Sequence, residues 1–235
     1  HSAGISLDKF FQYTMDEPNV LLLDMPAYRL DGGAWQPREE ALRLDNAIRR
    51  KLGYHLRTAS MAQPYVDKSP DVRDHLLELR YNIRSQIQLS GAYLALEQPE
   101  FAEILLDGQL VKEETAGFFV DRAIKTIPMP SFGPGDHELL IRMAFGEKSD
   151  LEWCYLLGDF GVQVQGTQTT LIPRQDVLAW DSIVTQSLPF YGGNLTYQIP
   201  FSCSAGEYKL RVPNFCASVL GIEIDGKDRG IIAYS

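Results

Sequence analysis

Aromatic rings placed beside carboxylate or amide groups are the residues of this chain whose types and spacing suggest a chemistry. In one such cluster, Trp180 and Asp181 are followed by Tyr191 and Asn194. A pyranose ring binds with its apolar side against an aromatic ring, and its hydroxyl groups form hydrogen bonds with carboxylates or amides. The cluster therefore predicts a shallow site for a neutral sugar.

The residues between these groups also bear on the prediction. Gly192 and Gly193 follow the aromatic pair Phe190-Tyr191, and residues without a Cβ atom let the backbone approach a ligand closely. The alternative interpretation is a loop that plugs one end of the fold, because large aromatic side chains dominate cores and seams.

Two further stretches carry the same residue types. Trp153, Tyr155 and Asp159 lie within LEWCYLLGDF, and Trp35 lies in DGGAWQP. Both are predicted as secondary sugar-binding candidates, and for both the alternative is a structural role of the aromatic ring.

Candidate catalytic carboxylates are close in sequence as Asp150, Glu152 and Asp159, and again as Glu113 and Glu114. A glycosidase needs two carboxyl groups about 5 to 10 Å apart in space, which sequence spacing does not reveal. A solvated acidic face is the alternative interpretation. We assign no catalytic residue.

Other catalytic and metal-binding patterns are missing from the sequence. It contains no Gly-x-Ser-x-Gly motif, and His55, His75 and His137 stand in no recognisable partnership with a serine or cysteine. No set of residues has metal-ligand spacing, so neither a metal nor another cofactor is predicted.

Composition narrows the class of partner. Among 235 residues there are 31 acidic and 22 basic ones, a formal net charge of −9, with no block of Lys or Arg. This argues against a nucleic acid or an anionic membrane as partner, and no apolar run approaches the roughly twenty residues that cross a bilayer. The three cysteines are isolated, which favours free thiols and a reducing compartment: Cys154, Cys203 and Cys216.

These candidate residues must be positioned by strands. Apolar and polar residues alternate with the period of half-buried strands in several segments, with turn residues between them. The pattern predicts an antiparallel β-sandwich or jelly roll. The segments are HLLELRYNIRSQI, GAYLALE, DHELLIRMAF, DFGVQVQG, NLTYQIPF and EYKLRV.

The N-terminal part has a different pattern. REEALRLDNAIRRKLG has apolar residues at helical spacing, early acids, late bases and a final glycine, which predicts one helix over about Arg38 to Leu52. We expect the rest of residues 1–75 to be an irregular connector.

Two predicted hairpins suggest a diverged internal repeat. AEILLDGQLV (Ala102 to Val111) and VLGIEIDGKDRGI each alternate before an Asp-Gly pair, which supplies a tight turn. Each follows a strand-like run that ends at a proline and an aromatic residue, LALEQPEF and KLRVPNF.

The second hairpin lies close to Ser235, so the second module is expected to be incomplete or to complete the first. We accordingly predict a connector over 1–75, a sandwich over 76–178 and a second β segment over 179–235. Because the chain starts at His1, a piece of a longer protein is expected.

Several of these stretches resemble a known family. AEILLDGQLV, GFFVDRAIKTIPMP, GDHELLIRMAF and VLGIEIDGKDRG are similar to the galactose-binding-like jelly rolls of large bacterial glycoside hydrolases. In those domains a Gly-x-Asn or Gly-x-His turn precedes a strand, and Gly133, Gly135 and His137 stand in that region. The order of segments is most similar to the C-terminal part of rhamnosidase-like hydrolases, over roughly Leu77 to Ser235.

The resemblance implies a non-catalytic accessory region that binds a neutral carbohydrate or packs against the catalytic domain of its parent enzyme. It transfers no catalytic residue. Two alternatives from other classes stay open: a free-standing glycoside hydrolase, and a structural interaction module without a small ligand.

Overall fold

The computed structural model describes residues 5, 7–57, 68–111, 114–212 and 215–233. Within them the chain is mainly β, with one α-helix, α1 (Ala41–Leu52), and short 3-10 helices at Pro99–Phe101 and Ile183–Thr185. The strands in chain order are β1 (Phe10–Met15), β2 (Asn19–Leu23), β3 (Ala27–Leu30), β4 (His75–Ser85), β5 (Tyr93–Glu97), β6 (Ala102–Leu106), β7 (Gln109–Leu110), β8 (Gly117–Phe119), β9 (Asp121–Pro128), β10 (Gly135–Phe145), β11 (Cys154–Gly158), β12 (Gly161–Gln165), β13 (Gln168–Ile172), β14 (Val177–Ala179), β15 (Leu195–Gln198), β16 (Leu220–Ile224) and β17 (Lys227–Ile232).

Residues Asp8–Ile199 form one compact unit, and the described residues from Pro200 onward belong to a second. In the first unit a seven-stranded sheet has the order β12-β13-β4-β10-β6-β7, with β3 also paired to β4. A five-stranded sheet has the order β2-β11-β5-β9-β8. These pairings are antiparallel except that of β13 with β4. The predicted antiparallel β-sandwich is confirmed.

The core lies between these two sheets. Alternate residues of the long central strands β4 and β10 point inward, including Leu79 and Ile141, and they meet Leu94 and Leu156 from the five-stranded sheet. The opposite residues of β4 and β10 therefore form the outer face of the seven-stranded sheet. That outer face carries the candidate site described below.

Helix α1 is confirmed, with an observed start three residues after the predicted one. Its apolar stripe joins the sandwich core through Leu44 and Ile48. Glu40 caps the N-terminus of the helix, where its carboxylate accepts the backbone N–H groups of Leu42 and Arg43, and Gly53 caps the C-terminus in the left-handed conformation.

Both predicted hairpins form. The φ values are 50° at Asp107 and 76° at Gly108 in the first hairpin, and 50° at Asp225 and 72° at Gly226 in the second. The tight turn requires these positive values. The upstream half of the proposed repeat differs, because LALEQPEF contains β5 and Pro99–Phe101 whereas residues 209–212 have no regular structure. The two copies share the hairpin.

Several sequence expectations are corrected. The segment predicted as an irregular connector contains β1, β2 and β3, and each pairs with a strand from later in the chain. The boundary between the two compact units lies after Ile199 and not at residue 179, because β14 and β15 both pair with β1. The predicted strand EYKLRV is absent; Leu210 is 54% exposed. Among the described residues, this segment has no neighbouring strand with which to pair.

The alternation in the sequence predicts that eight apolar side chains of these strands are buried, and this is confirmed for six of them. Leu210 and Ile222 are the exceptions, and both lie in the unit after Pro200, where no described residue is buried. The six confirmed residues are Ile104, Leu106, Leu139, Ile141, Phe160 and Val162.

Candidate functional site

The aromatic cluster predicted from sequence is divided between two ends of a small sheet. Trp180 follows β14, which pairs with the Phe10 end of β1, whereas Asn194 precedes β15, which reaches the Met15 end. The six residues of β1 span roughly 17 Å between these ends at about 3.3 Å per residue. A single monosaccharide therefore does not contact both side chains.

Tyr191 and Asn194 are held by Glu17. The Tyr191 hydroxyl lies 2.8 Å from Glu17 Oε2, and the Asn194 backbone N–H donates to the same oxygen over 2.7 Å. The Tyr191 ring is buried with Tyr13 and neighbouring apolar residues. A Cβ atom on Gly193 would overlap the Glu17 carboxylate, so this glycine permits an internal contact. These contacts match the loop-plug interpretation.

Trp180 and Asp181 keep exposed surface. Trp180 is 41% exposed and its ring is tilted against Tyr197, with 5.1 Å between ring centroids. Asp181 accepts the backbone N–H of Ser182 over 2.7 Å. Sugar stacking on Trp180 stays a prediction.

Trp153 and Asp159 lie at opposite ends of β11, roughly 20 Å apart at about 3.3 Å per residue. The indole N–H of Trp153 donates to Glu40 Oε1 over 2.6 Å, which fixes the carboxylate that caps α1. Asp159 is paired with Arg174 at 2.7 Å. The structure does not bring these two candidates together.

The third candidate, Trp35, lies against the outer face of the seven-stranded sheet. The guanidinium carbons of Arg29 and Arg80 are 4.8 Å and 4.1 Å from the centroid of its ring. These contacts fix the ring through cation–π attraction.

Of the carboxylates considered for catalysis, Asp150 and Glu152 lie together, whereas Asp159 is paired with Arg174. Asp150 and Glu152 share the guanidinium of Arg57. Burial and the neighbouring carboxyl groups of Asp150 and Glu152 raise the pKa of Glu97, a residue that the sequence did not single out, to about 7. Glu114 is exposed. Glu113 lies outside the described residues.

An open groove of about 700 Å³ crosses the outer face of the seven-stranded sheet. We call it the sheet-face groove. Leu76 of β4 and Ala144 of β10 are paired neighbours that form its apolar floor. Phe101, the residue before β6, forms one wall and is 39% exposed.

Arg73 packs against the Phe101 ring that forms this wall. The guanidinium carbon of Arg73 lies 3.5 Å from the centroid of the Phe101 ring. Arg73 is itself held by Asp71 at 2.9 Å and donates to Gln98 Oε1 over 3.0 Å. One side of the Phe101 ring is therefore occupied, and the groove-lining part of the ring stays accessible.

A row of charged side chains crosses the groove perpendicular to the strands. Arg29 of β3, Glu78 of β4, Arg142 of β10 and Glu103 of β6 are successive cross-strand partners. Arg29 binds both oxygens of Glu78, and Arg142 donates to Glu78 over 3.2 Å and to Glu103 over 2.9 Å. Within the described chain, Nη1 of Arg29 and Nη2 of Arg142 have no hydrogen-bond partner, so both can donate to a ligand.

Glu78 is buried under the two guanidinium groups. The hydrogen bond from Arg29 lowers its pKa, burial opposes this, and Arg142 adds to the lowering. Glu78 is therefore a carboxylate at neutral pH and positions the two arginines.

The groove residues were missed in the sequence because their proximity depends on strand pairing. The alternation correctly placed Glu78 and Arg80 on the outward face of β4, and Glu103 on the outward face of β6. Only the order β3-β4-β10-β6 brings those charges into one row.

Within the described residues, no group of three or more His, Cys, Asp or Glu side chains is arranged to hold a metal ion. No helix among them is long and apolar enough to span a membrane. In comparisons with known proteins, no protein-family model, curated protein or solved structure matches the chain.

Proposed function

We propose that this chain is a non-catalytic β-sandwich that binds a neutral carbohydrate in the sheet-face groove and serves as an accessory region of a glycoside hydrolase. The observation that supports binding is the groove itself, in which an apolar floor and an aromatic wall meet a row of hydrogen-bonding side chains. The glycoside hydrolase context rests on the sequence resemblance.

The groove has the two surfaces that a sugar needs. Leu76, Ala144 and Phe101 offer apolar contact to the C–H side of a ring, and Arg29 and Arg142 offer free N–H donors to its hydroxyls. Its volume of about 700 Å³ lies within the range typical of small-molecule sites.

Charge favours a neutral ligand. The groove lining contains two guanidinium groups and three carboxylates, with Glu100 as the third carboxylate. The arginines are bound to Glu78 and Glu103, so the charges of the row are compensated internally. An anionic ligand would compete with these carboxylates for the arginines.

The test is a titration followed by NMR. The purified chain is titrated with rhamnose, galactose and plant-polysaccharide oligomers while amide shifts are recorded. We expect weak saturable binding, with a dissociation constant in the millimolar to micromolar range, and shifts at Leu76, Phe101 and Ala144. Phe101→Ala should weaken binding about 3- to 10-fold because a ring contact is lost.

Matched variants separate this site from the rest of the surface. Phe118 on β8 is another exposed phenylalanine, and Phe118→Ala should leave the affinity unchanged. Arg142→Lys keeps the charge but loses the planar donor pair, and should weaken binding. If the shifts are confined to Trp180 and its neighbours and Trp180→Ala abolishes them, the sugar binds at the loop predicted from the sequence and not in the sheet-face groove.

The two alternative functions give different results. A free-standing hydrolase would release the aryl group from an aryl glycoside and would lose this activity on substitution of one carboxylate. A structural interaction module would show no saturable shift with any sugar of the panel.

A further inference from the structure

Three Asp-Gly pairs occur in the sequence, and the structure places each of them in a tight turn. They are Asp31-Gly32 after β3, Asp107-Gly108 between β6 and β7, and Asp225-Gly226 between β16 and β17. The three aspartates have nearly the same positive φ, 52°, 50° and 50°. Their φ values therefore do not distinguish them.

An Asp-Gly pair rearranges without an enzyme. The backbone nitrogen of the glycine attacks the side-chain carboxyl carbon of the aspartate, so that a nitrogen–carbon bond forms, a carbon–oxygen bond breaks, and the amide proton leaves with the hydroxyl as water. Water then opens the cyclic succinimide at either carbonyl, which returns aspartate or gives isoaspartate, whose main chain runs through the former side chain. Glycine favours the attack because it has no Cβ atom to obstruct the approach.

Two of the three carboxylates are held through both of their oxygens. Asp31 accepts the Leu76 backbone N–H over 2.9 Å and lies 2.8 Å from His75 Nδ1. Asp107 accepts a backbone N–H of β10 over 2.9 Å and lies 2.7 Å from His137 Nδ1. Attack by the following glycine nitrogen requires each carboxyl group to leave these contacts with a neighbouring strand.

The same hydrogen bonds keep these two carboxyl groups ionised. Burial raises the pKa of Asp31 and of Asp107, but the hydrogen bonds from the histidine and from the backbone N–H outweigh it, so both pKa values are lowered. The ionised group reacts more slowly, because a carboxylate oxygen is a poorer leaving group than a hydroxyl that departs as water.

Asp225 lacks both kinds of restraint. Its side chain is exposed, and within the described chain its carboxylate has no hydrogen-bond or ion-pair partner. Among the strands that the structure describes, β16 and β17 pair only with each other, whereas β3 and β6 pair with the central strands β4 and β10. A two-stranded hairpin opens at low cost, and opening gives the chain the freedom that the attack requires.

We propose that Asp225-Gly226 is a site of spontaneous isoaspartate formation, and that the hydrogen bonds of their carboxylates protect Asp31-Gly32 and Asp107-Gly108. Isoaspartate adds a carbon atom to the main chain of the turn. The turn then no longer matches the pairing of Ile224 with Lys227. The modification therefore opens the β16–β17 hairpin.

Oxygen-18 labelling measures the reaction at each pair. The purified chain is incubated at neutral pH in oxygen-18 water, because each opening of a succinimide incorporates an oxygen-18 atom whether aspartate or isoaspartate results. The chain is then digested with trypsin in ordinary water. Each pair lies in a separate tryptic peptide that contains no other aspartate, residues 30–38, 85–112 and 212–227, so fragmentation in the mass spectrometer assigns the label to a single residue.

We expect label to accumulate at Asp225 at least about tenfold faster than at Asp31 and Asp107, because a difference of about 1.4 kcal/mol in the free energy of opening gives that ratio. Part of the labelled 212–227 peptide should resist a protease that cleaves before aspartate, since isoaspartate is not its substrate. In urea the three pairs should be labelled at similar rates, because each is preceded by leucine or isoleucine and followed by no structure that distinguishes it.

Three variants test the assignment. Asp225→Glu keeps the charge but would have to close a larger ring, so the label should disappear from its peptide. His137→Ala removes a hydrogen bond from Asp107, and His75→Ala removes one from Asp31. Each histidine variant should raise labelling several-fold at its own aspartate and leave labelling at Asp225 unchanged.

Equal labelling of the three pairs in the folded chain overturns the proposal. So does an unlabelled Asp225 after a time in which the chain in urea is fully labelled. If the histidine variants leave labelling at Asp107 and Asp31 unchanged, the protective role of the hydrogen bonds is wrong.

Discussion

At the scale of single residues, His137 is held through both of its ring nitrogens. Nδ1 lies 2.7 Å from Asp107 Oδ2, and Nε2 lies 2.9 Å from the carbonyl oxygen of Gly133. Its ring is tilted against Phe132, and the other carboxylate oxygen of Asp107 accepts the N–H of Glu138 over 2.9 Å. A ring that donates from both nitrogens is an imidazolium cation.

This arrangement predicts a pH-dependent contribution to stability. Burial lowers the pKa of His137, but the hydrogen bonds to Asp107 and Gly133 outweigh it, so the pKa is raised. The contribution is therefore complete below about pH 6.5, the ordinary value, and is lost as pH rises through the folded-state pKa. In urea unfolding, the free-energy difference between the wild type and His137→Gln should shrink as pH rises through this range.

The matched control is His55→Gln. His55 lies 2.6 Å from Glu147, but its side chain is highly exposed, so the change should affect the unfolding free energy by less than about 0.5 kcal/mol at any pH. A difference for His137→Gln that is equally large at high and low pH would show that packing alone is lost.

The Asp107 contact has a counterpart elsewhere in the sheet. Asp31, also at positive φ before a glycine, accepts from the Leu76 backbone N–H over 2.9 Å and lies 2.8 Å from His75 Nδ1. The sequence contains the pairs Asp31-Gly32 and Asp107-Gly108, and it contains His75 and His137. Their partnership was not predictable, because each carboxylate contacts a strand that is distant in sequence.

At the scale of elements, the β6–β7 hairpin offers a direct test of register. Leu106 is 5% exposed and lies in the sandwich core, whereas Leu110 on the returning strand is 64% exposed. Leu106→Ala should reduce the free energy of unfolding by about 2 to 5 kcal/mol because it leaves a cavity. Leu110→Ala should change it by less than about 0.5 kcal/mol, as measured by chemical denaturation.

Similar losses for the two variants would contradict this register, since a shift by one residue exchanges the buried and exposed faces of a strand.

Local patterns predicted those elements whose burial follows a simple period. The alternation of HLLELRYNIRSQI corresponds to β4, and the apolar spacing near Arg38 to Leu52 corresponds to α1. β1, β2 and β3 were missed because they are short, separated by prolines and stabilised by partners from later in the chain. The same dependence on distant partners hid the groove, since Arg29 reaches Glu78 only through the pairing of β3 with β4.

At the scale of the whole molecule, the two compact units differ in how they bury apolar surface. Asp8–Ile199 has a continuous core between its sheets. In the described residues from Pro200 onward no side chain is buried, although they include Phe201, Tyr208 and Ile231. Their regular structure is the β16–β17 hairpin, and a two-stranded hairpin is at best marginally stable without further packing.

Native-state hydrogen exchange should therefore divide the chain after Ile199. Amides in the centres of β4 and β10 pair on both sides within a buried sheet, and should exchange only through global unfolding, at a cost of about 5 to 15 kcal/mol. Among the described residues, the amides of β16 and β17 pair between these two strands, apart from that of Gly230, which donates to Asp228 Oδ1. They should open at a free-energy cost several kcal/mol lower. Equal protection of the two sets would mean that the hairpin belongs to the same cooperative unit as the sandwich.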